Sequence, residues 1–112
     1  MLKLRFAAGG YDRLDALQYG IVQPEGIELE FNEINAPRRI FDGMLGGGLF
    51  DVSEFSSSEF ITRSLRGNFP FVGIPVFPSK AFRHGFIYIN KHAGITSPKD
   101  LEGKRIGVPQ HS

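Results

Sequence analysis

Pro24-Glu25-Gly26-Ile27-Glu28-Leu29-Glu30-Phe31 is a turn followed by a strand. Pro and Gly supply the turn geometry. Ile27, Leu29 and Phe31 then alternate with Glu28 and Glu30, the pattern of a half-buried strand. Upstream, Leu2-Lys3-Leu4-Arg5-Phe6-Ala7 alternates in the same way. Between them Gly9-Gly10 turns the chain, and Asp12 caps a helix with apolar Leu14, Leu17 and Ile21 at helical spacing. Two strands joined through a helix pair in parallel, so this opening predicts a β-α-β unit.

The same alternation continues downstream. Pro37 suits the first turn of a helix, with Ile40, Phe41, Met44 and Leu45 as its buried stripe and Gly46-Gly47-Gly48 as its stop. Leu49 to Ser53 reads as a short strand. Serines 56 to 58 cap a helix with Phe60, Ile61 and Leu65 inward, stopped by Gly67. Phe69 to Phe77 is strand-like but interrupted by Pro70 and Pro75, so an edge or irregular strand is expected. Gly85 to Asn90 is a better strand pattern, Ser97 to Leu101 a cap with one helical turn, and Lys104 to Val108 a last strand. The predicted fold is α/β, a mostly parallel sheet with helices on both faces. A last strand with no following helix leaves a face uncovered, which a parallel sheet does not tolerate. The fold is therefore expected to be truncated.

Composition limits the function classes. The 112 residues are 41% hydrophobic and 22% charged, with a net charge of +1. That is ordinary for a globular domain and gives no electrostatic reason to expect a nucleic acid or an acidic membrane as partner. There is no cysteine, hence no disulfide framework and no thiolate metal site. No stretch approaches a membrane span. The first residues read as a strand rather than a secretory signal. A cytoplasmic protein is expected, or a periplasmic one if a leader has been removed.

Several short motifs occur in a characteristic order. They are Gly10-Tyr11-Asp12-Arg13, Pro24-Glu25-Gly26-Ile27, Phe50-Asp51-Val52-Ser53-Glu54, Phe71-Val72-Gly73-Ile74-Pro75-Val76-Phe77-Pro78, Phe82-Arg83-His84 and Asp100-Leu101-Glu102-Gly103-Lys104-Arg105-Ile106-Gly107-Val108-Pro109. In order and spacing the chain resembles the 4,5-dihydroxyphthalate decarboxylase family. The resemblance implies lobe one of a type 2 periplasmic-binding-protein-like fold, with residues 1–103 as an incomplete first lobe and 104–112 as the start of a second. It also implies that the family continues past Ser112, so the 112 residues by themselves are expected to be an inactive fragment. A hydrophobic face left uncovered would favour a homo-oligomer.

Ligands of open α/β sheets bind beyond the carboxyl ends of the strands. Three loops are expected to leave such ends and converge: Gly9 to Arg13, Ser53 to Ser58, and Ser79 to His84. Arg13 and Arg83 carry guanidinium forks that fit carboxylates, although each could be a solvated surface arginine. An imidazole gives and takes protons near neutral pH, which makes His84 the candidate acid; a structural histidine is the plain alternative. Glu54 could accept a proton or bond a phenolic hydroxyl, with Ser53 and Ser56 beside it as further ligand contacts. Serines ahead of Phe60 could equally be helix caps. Tyr11 could stack on an aromatic ring or sit in the core. His92 falls in a turn, and His111 and Ser112 stand where the family would lead into a helix of the second lobe. The triple glycine lacks the Lys-Ser/Thr ending of a phosphate loop, and no His, Asp and Glu spacing supports a metal. No cofactor is expected.

The resemblance implies non-oxidative decarboxylation of a dihydroxylated aromatic acid such as 4,5-dihydroxyphthalate. His84 and Glu54 would be catalytic, and Tyr11, Arg13, Ser53, Ser56 and Arg83 would bind substrate. The rival expectation is a solute-binding protein of a transporter for a small organic anion, which would use the same loops without chemistry.

Overall fold

A computed structural model describes residues 1–108, and they fall in two compact units that divide after Ser79. The first contains three parallel strands: β1 (Leu2–Ala8), β2 (Ile27–Glu33) and β3 (Val52–Ser53). Strand order is β2-β1-β3, so the first strand in sequence is the middle strand of the sheet. β1 and β2 pair over seven residues, from Leu2 opposite Ile27 to Ala8 opposite Glu33. β1 and β3 pair only at Phe6–Val52 and Ala7–Ser53, although Asp51 and Glu54 donate further backbone bonds to the carbonyls of Arg5 and Ala7.

This is the expected α/β class with a parallel sheet. The connections are a 3-10 turn (Asp12–Leu14) running into the short helix α1 (Asp15–Gln18), and then α2 (Pro37–Gly47). β2 and β3 flank β1 on opposite sides, so right-handed crossovers put α1 and α2 on opposite faces. Ala7, Ala8, Leu14 and Ile40 are the buried core. Small side chains at the end of β1 let the connections close over it, while Phe6 and Phe31 meet edge to face at 5.0 Å.

Pro37 starts α2, and Gly48 ends it in the left-handed region at φ 63°, a conformation that glycine adopts without steric cost. Gly43, inside α2, is buried; a Cβ there would lie 2.7 Å from the Phe50 ring. α3 (Ser57–Leu65) is capped by Ser56, whose Oγ accepts from the Glu59 amide at 3.4 Å. Phe41, Phe55, Phe69, Phe60 and Phe71 form a chain of ring contacts between 5.2 and 6.0 Å that ties α2 and α3 to the segment after them.

Several expectations are corrected. The first helix ends at Gln18, and Ile21 is 77% exposed rather than on its buried stripe. Gly20 at φ 69° breaks the helix before Ile21 can join it. Ile61 and Leu65 are not inward but exposed, Leu65 at 83%; only Phe60 of the three is half-buried. Strand β3 is two residues rather than five. Phe69 to Phe77, Gly85 to Asn90 and Lys104 to Val108 are not strands among the described residues. A strand exists only where a neighbour completes its ladder, and none of these segments has one.

The second unit has little regular structure. Arg83–Phe86 is a 3-10 turn, and a second one, Pro98–Leu101, follows Ser97 as expected. His92 lies in an exposed turn, its backbone amide donating to Asn90 Oδ1 at 2.9 Å. His111 and Ser112 lie outside the described residues. Among the described residues no helix is long and apolar enough to cross a membrane.

Candidate functional site

A parallel sheet whose chain leaves its middle strand first to one side and later to the other has a switch point, and the crevice there is the default ligand site. Here it lies beyond Ala8 and Ser53, the carboxyl ends of β1 and β3. Glu54, the residue after β3, spans it. Its Oε1 accepts from the Gly9 amide at 2.9 Å, and its Oε2 accepts from the Tyr11 hydroxyl at 3.0 Å. The loops Gly9 to Arg13 and Ser53 to Ser58 therefore converge, as the sequence predicts.

The geometry depends on two small residues. A Cβ on Gly9 would be 3.0 Å from Tyr11 Cζ, so its absence lets the tyrosine ring fold back over the loop. A Cβ on Gly10 would be 2.6 Å from Glu33 Oε1. Glu33 ends β2 and Asn35 follows it, in a loop that no motif of the sequence marks. Asn35 Oδ1 accepts from the Gly10 amide at 3.0 Å, and Asn35 Nδ2 donates to Glu33 Oε1 at 2.9 Å. Gln18 Nε2 donates to Glu33 Oε2 at 2.7 Å. Those amide donors, Gln18 ahead of Asn35, hold the Glu33 carboxyl below its usual range. The signal that would have found this cluster is the rule already used for the other loops, applied to the end of β2.

Tyr11 is half-buried. Burial raises its phenol above the usual value; the Ser79 hydroxyl acts against that, and Glu54 adds to it. The ring is therefore held in its protonated, hydrogen-bond-donating form. The Arg13 guanidinium stands 5.9 Å from the centre of that ring. Its Nη1 donates to the Pro78 carbonyl, and Nη2 is 3.8 Å from Asp12 Oδ1. A guanidinium has five N–H donors, so these contacts leave others for a ligand.

Ser53 Oγ is enclosed and has no hydrogen-bond partner among the described residues. Buried hydroxyls ordinarily find one. Ser56 is used locally: it caps α3, and its Oγ is 3.0 Å from Ser58 Oγ. The Ser79 to His84 loop does not leave a strand end. Its first residue, Ser79, reaches Tyr11, and Pro78 before it reaches Arg13, whereas Arg83 and His84 belong to the second unit. There, both are exposed in one 3-10 turn. The His84 ring lies 4.8 Å from the Phe82 ring, and Arg83 lies over Phe86 at 5.5 Å.

Two shallow hollows lie elsewhere in the first unit. One, about 450 Å³, is bounded by Arg39, Asp42, Gly43 and Leu49; the other, about 390 Å³, by Lys3, Arg5, Glu30 and Asp51. Neither touches Tyr11 or Glu54. Among the described residues no three His, Cys, Asp or Glu side chains gather as metal ligands.

No protein-family model matches the chain. Two curated proteins do. A 4,5-dihydroxyphthalate decarboxylase of Comamonas testosteroni is 41% identical over 110 residues, which is 98% of this chain and 33% of that protein. This chain resembles the 4,5-dihydroxyphthalate decarboxylases over nearly all its length. A second protein of that name, from Pseudomonas putida, is also 41% identical over 110 residues, 98% of this chain and 42% of that protein. The chain thus spans between a third and about two fifths of the length of the curated relatives it matches. The motifs that carry the resemblance include both sides of the switch point, Gly10 to Arg13 and Phe50 to Glu54.

Proposed function

We propose that this chain is part of a carboxy-lyase that removes carbon dioxide from 4,5-dihydroxyphthalate or a closely similar dihydroxylated aromatic acid. The carrying observation is the 41% identity to two proteins of that name along 98% of the chain. The switch-point cluster supports it, because acceptors for hydroxyls and a guanidinium for a carboxylate stand together there.

The chemistry needs no cofactor in this reading. A ring hydroxyl para to the departing carboxylate feeds electron density into the ring. A general acid adds a proton to the ring carbon that bears the carboxylate. The carbon–carbon bond then breaks, carbon dioxide leaves, and the bonding pair restores aromaticity. We assign His84 as that acid, Arg13 and Arg83 to the carboxylates, and Tyr11, Ser53, Ser56 and Glu54 to the hydroxyl end of the site. The ligand is a small aromatic dicarboxylate, and self-association into a homo-oligomer is part of the proposal, since Ile74, Val76, Phe77 and Phe82 are exposed. We place the protein in the cytoplasm, or in the periplasm if a leader has been removed.

Incubation of the protein, at the length of its relatives, with 4,5-dihydroxyphthalate tests the reading. Carbon dioxide and the matching dihydroxybenzoate are expected, with loss of turnover in His84→Ala. Normal turnover in that variant would remove His84 from the acid role. Saturable binding without product would move the protein to solute binding.

A further inference from the structure

Glu54 is held in place by the protein. Each of its oxygens already accepts from the protein, one from the Gly9 amide and one from the Tyr11 hydroxyl. The consequence falls on Tyr11. A phenol carries one proton and two lone pairs. Its proton is committed to Glu54 and the Ser79 hydroxyl takes up one lone pair, so what the phenolic oxygen still offers is its second lone pair, an acceptor. At the hydroxyl the charge has the same sense, since Glu54 bonds Gly9 and Tyr11 and Glu33 lies against Gly10, while the cation of this loop, Arg13, stands over the face of the Tyr11 ring. A ligand carboxylate placed here would meet both acceptors and like charge. A ligand hydroxyl would find a partner.

We infer that Tyr11 is the residue that recognises a ring hydroxyl of the ligand, and that Glu54 is a positioning residue which fixes Tyr11 as an acceptor and so makes this end of the site select hydroxyl over carboxylate. The inference rests on the aromatic-acid reading above and assigns its specificity. Gly9 is part of the device, since a Cβ there would stand 3.0 Å from Tyr11 Cζ and crowd the ring where it reaches Glu54.

The effect of Glu54→Gln follows from the same geometry. The Gly9 amide requires an acceptor, so the new carboxamide turns its oxygen to Gly9 and its NH₂ to Tyr11. Tyr11 then accepts from the protein and has its own proton to give. The preference for a hydroxyl should collapse, while a role limited to structure would weaken every ligand alike.

The test is calorimetric binding of 4,5-dihydroxyphthalate and of phthalate, which lacks the hydroxyls, to the protein at the length of its relatives and to its Tyr11→Phe and Glu54→Gln variants. The Tyr11 ring signals are followed by NMR through alkaline pH in the same samples. The wild-type chain is expected to bind the dihydroxy acid about tenfold more tightly than phthalate, the scale of one good hydrogen bond. Tyr11→Phe should remove that ratio and leave phthalate unchanged. Glu54→Gln should also reduce the ratio and bring the Tyr11 phenol down toward its ordinary value. Equal affinity of the wild-type chain for both acids would overturn the inference while leaving the aromatic-acid reading in place. Binding of neither would overturn both, and a uniform loss for both acids in Glu54→Gln would reduce Glu54 to a structural role.

Discussion

Asp51 holds Arg5 by three hydrogen bonds: Oδ2 accepts from the Arg5 backbone amide at 2.8 Å and from Nε at 3.0 Å, and Oδ1 accepts from Nη2 at 3.0 Å. The fork-to-fork pairing leaves Nη2 able to donate also to the Gly48 carbonyl at 2.9 Å. One side chain of β1 thus anchors both the end of α2 and the approach to β3, where the sheet itself supplies only two paired residues.

The acid stability of the first unit should carry the signature of this pair. The Arg5 guanidinium and amide lower the Asp51 carboxyl to about 2. A carboxyl lowered on folding stabilises the folded state above its unfolded value, and that contribution disappears as pH falls through the folded value. Asp51→Asn should therefore be less stable than the wild type at pH 5 to 7, and the two should converge near pH 2. Urea unfolding across that range measures it; a gap that stays constant with pH would contradict the assignment.

Two glycines of α2 should respond in opposite directions to the same substitution. Gly43→Ala puts a methyl 2.7 Å from the Phe50 ring and should cost about 1–3 kcal/mol through overpacking. Gly46→Ala meets nothing within 4 Å and should stabilise by about 0.5–1 kcal/mol, the ordinary gain from replacing a helical glycine. Thermal or chemical denaturation of the pair separates packing from helix propensity.

Gly10→Ala should be read at Glu33 rather than at residue 10. The added methyl would displace the Glu33 carboxylate from the Asn35 and Gln18 amides that hold its pKa down. The Glu33 carboxyl should move up toward its usual value, as followed by NMR titration. An unmoved titration would mean that the carboxylate keeps both donors.

In the second unit, Asp100 Oδ2 accepts from the backbone amides of Thr96 and Ser97, both at 2.8 Å, and from their hydroxyls at 3.1 and 3.2 Å. Those amides, Thr96 first, lower the Asp100 carboxyl. Asp100→Ala should release both amides, seen as faster hydrogen exchange at Thr96 and Ser97 at neutral pH. In the wild type the same release should appear on acidification below the usual carboxylate range, because a lowered carboxyl loses its contribution as pH falls through its folded value.

What was legible in the sequence is what local chemistry controls. The alternation at Ile27, Leu29 and Phe31, the start at Pro37, the stop at Gly48 and the cap ahead of Phe60 all depend on neighbours within one or two turns. Gly85 to Asn90 has a strand's composition but no strand, because strand formation depends on a partner that periodicity does not reveal. The site divides in the same way. The rule that ligands gather beyond strand ends brought Tyr11 and Glu54 forward as candidates. That Glu54 would spend both oxygens on Gly9 and Tyr11 was hidden, since those partners are 45 and 43 residues away in the chain. Arg13 had an obvious charge, but its bond to the Pro78 carbonyl spans 65 residues and carries no local trace.

The position of β1 between β2 and β3 also sets an order of assembly. During synthesis the middle strand emerges first and must wait for both neighbours. Its long register with β2 closes within the first 33 residues, whereas its short one with β3 needs the chain to reach Ser53. Early closure favours the nearer partner, because loop entropy and contact separation are smaller there. Truncations at Leu4 or Leu29 should therefore slow folding, and truncation at Val52 should mainly hasten unfolding. The crevice that Glu54 spans would be the last part of the first unit to form.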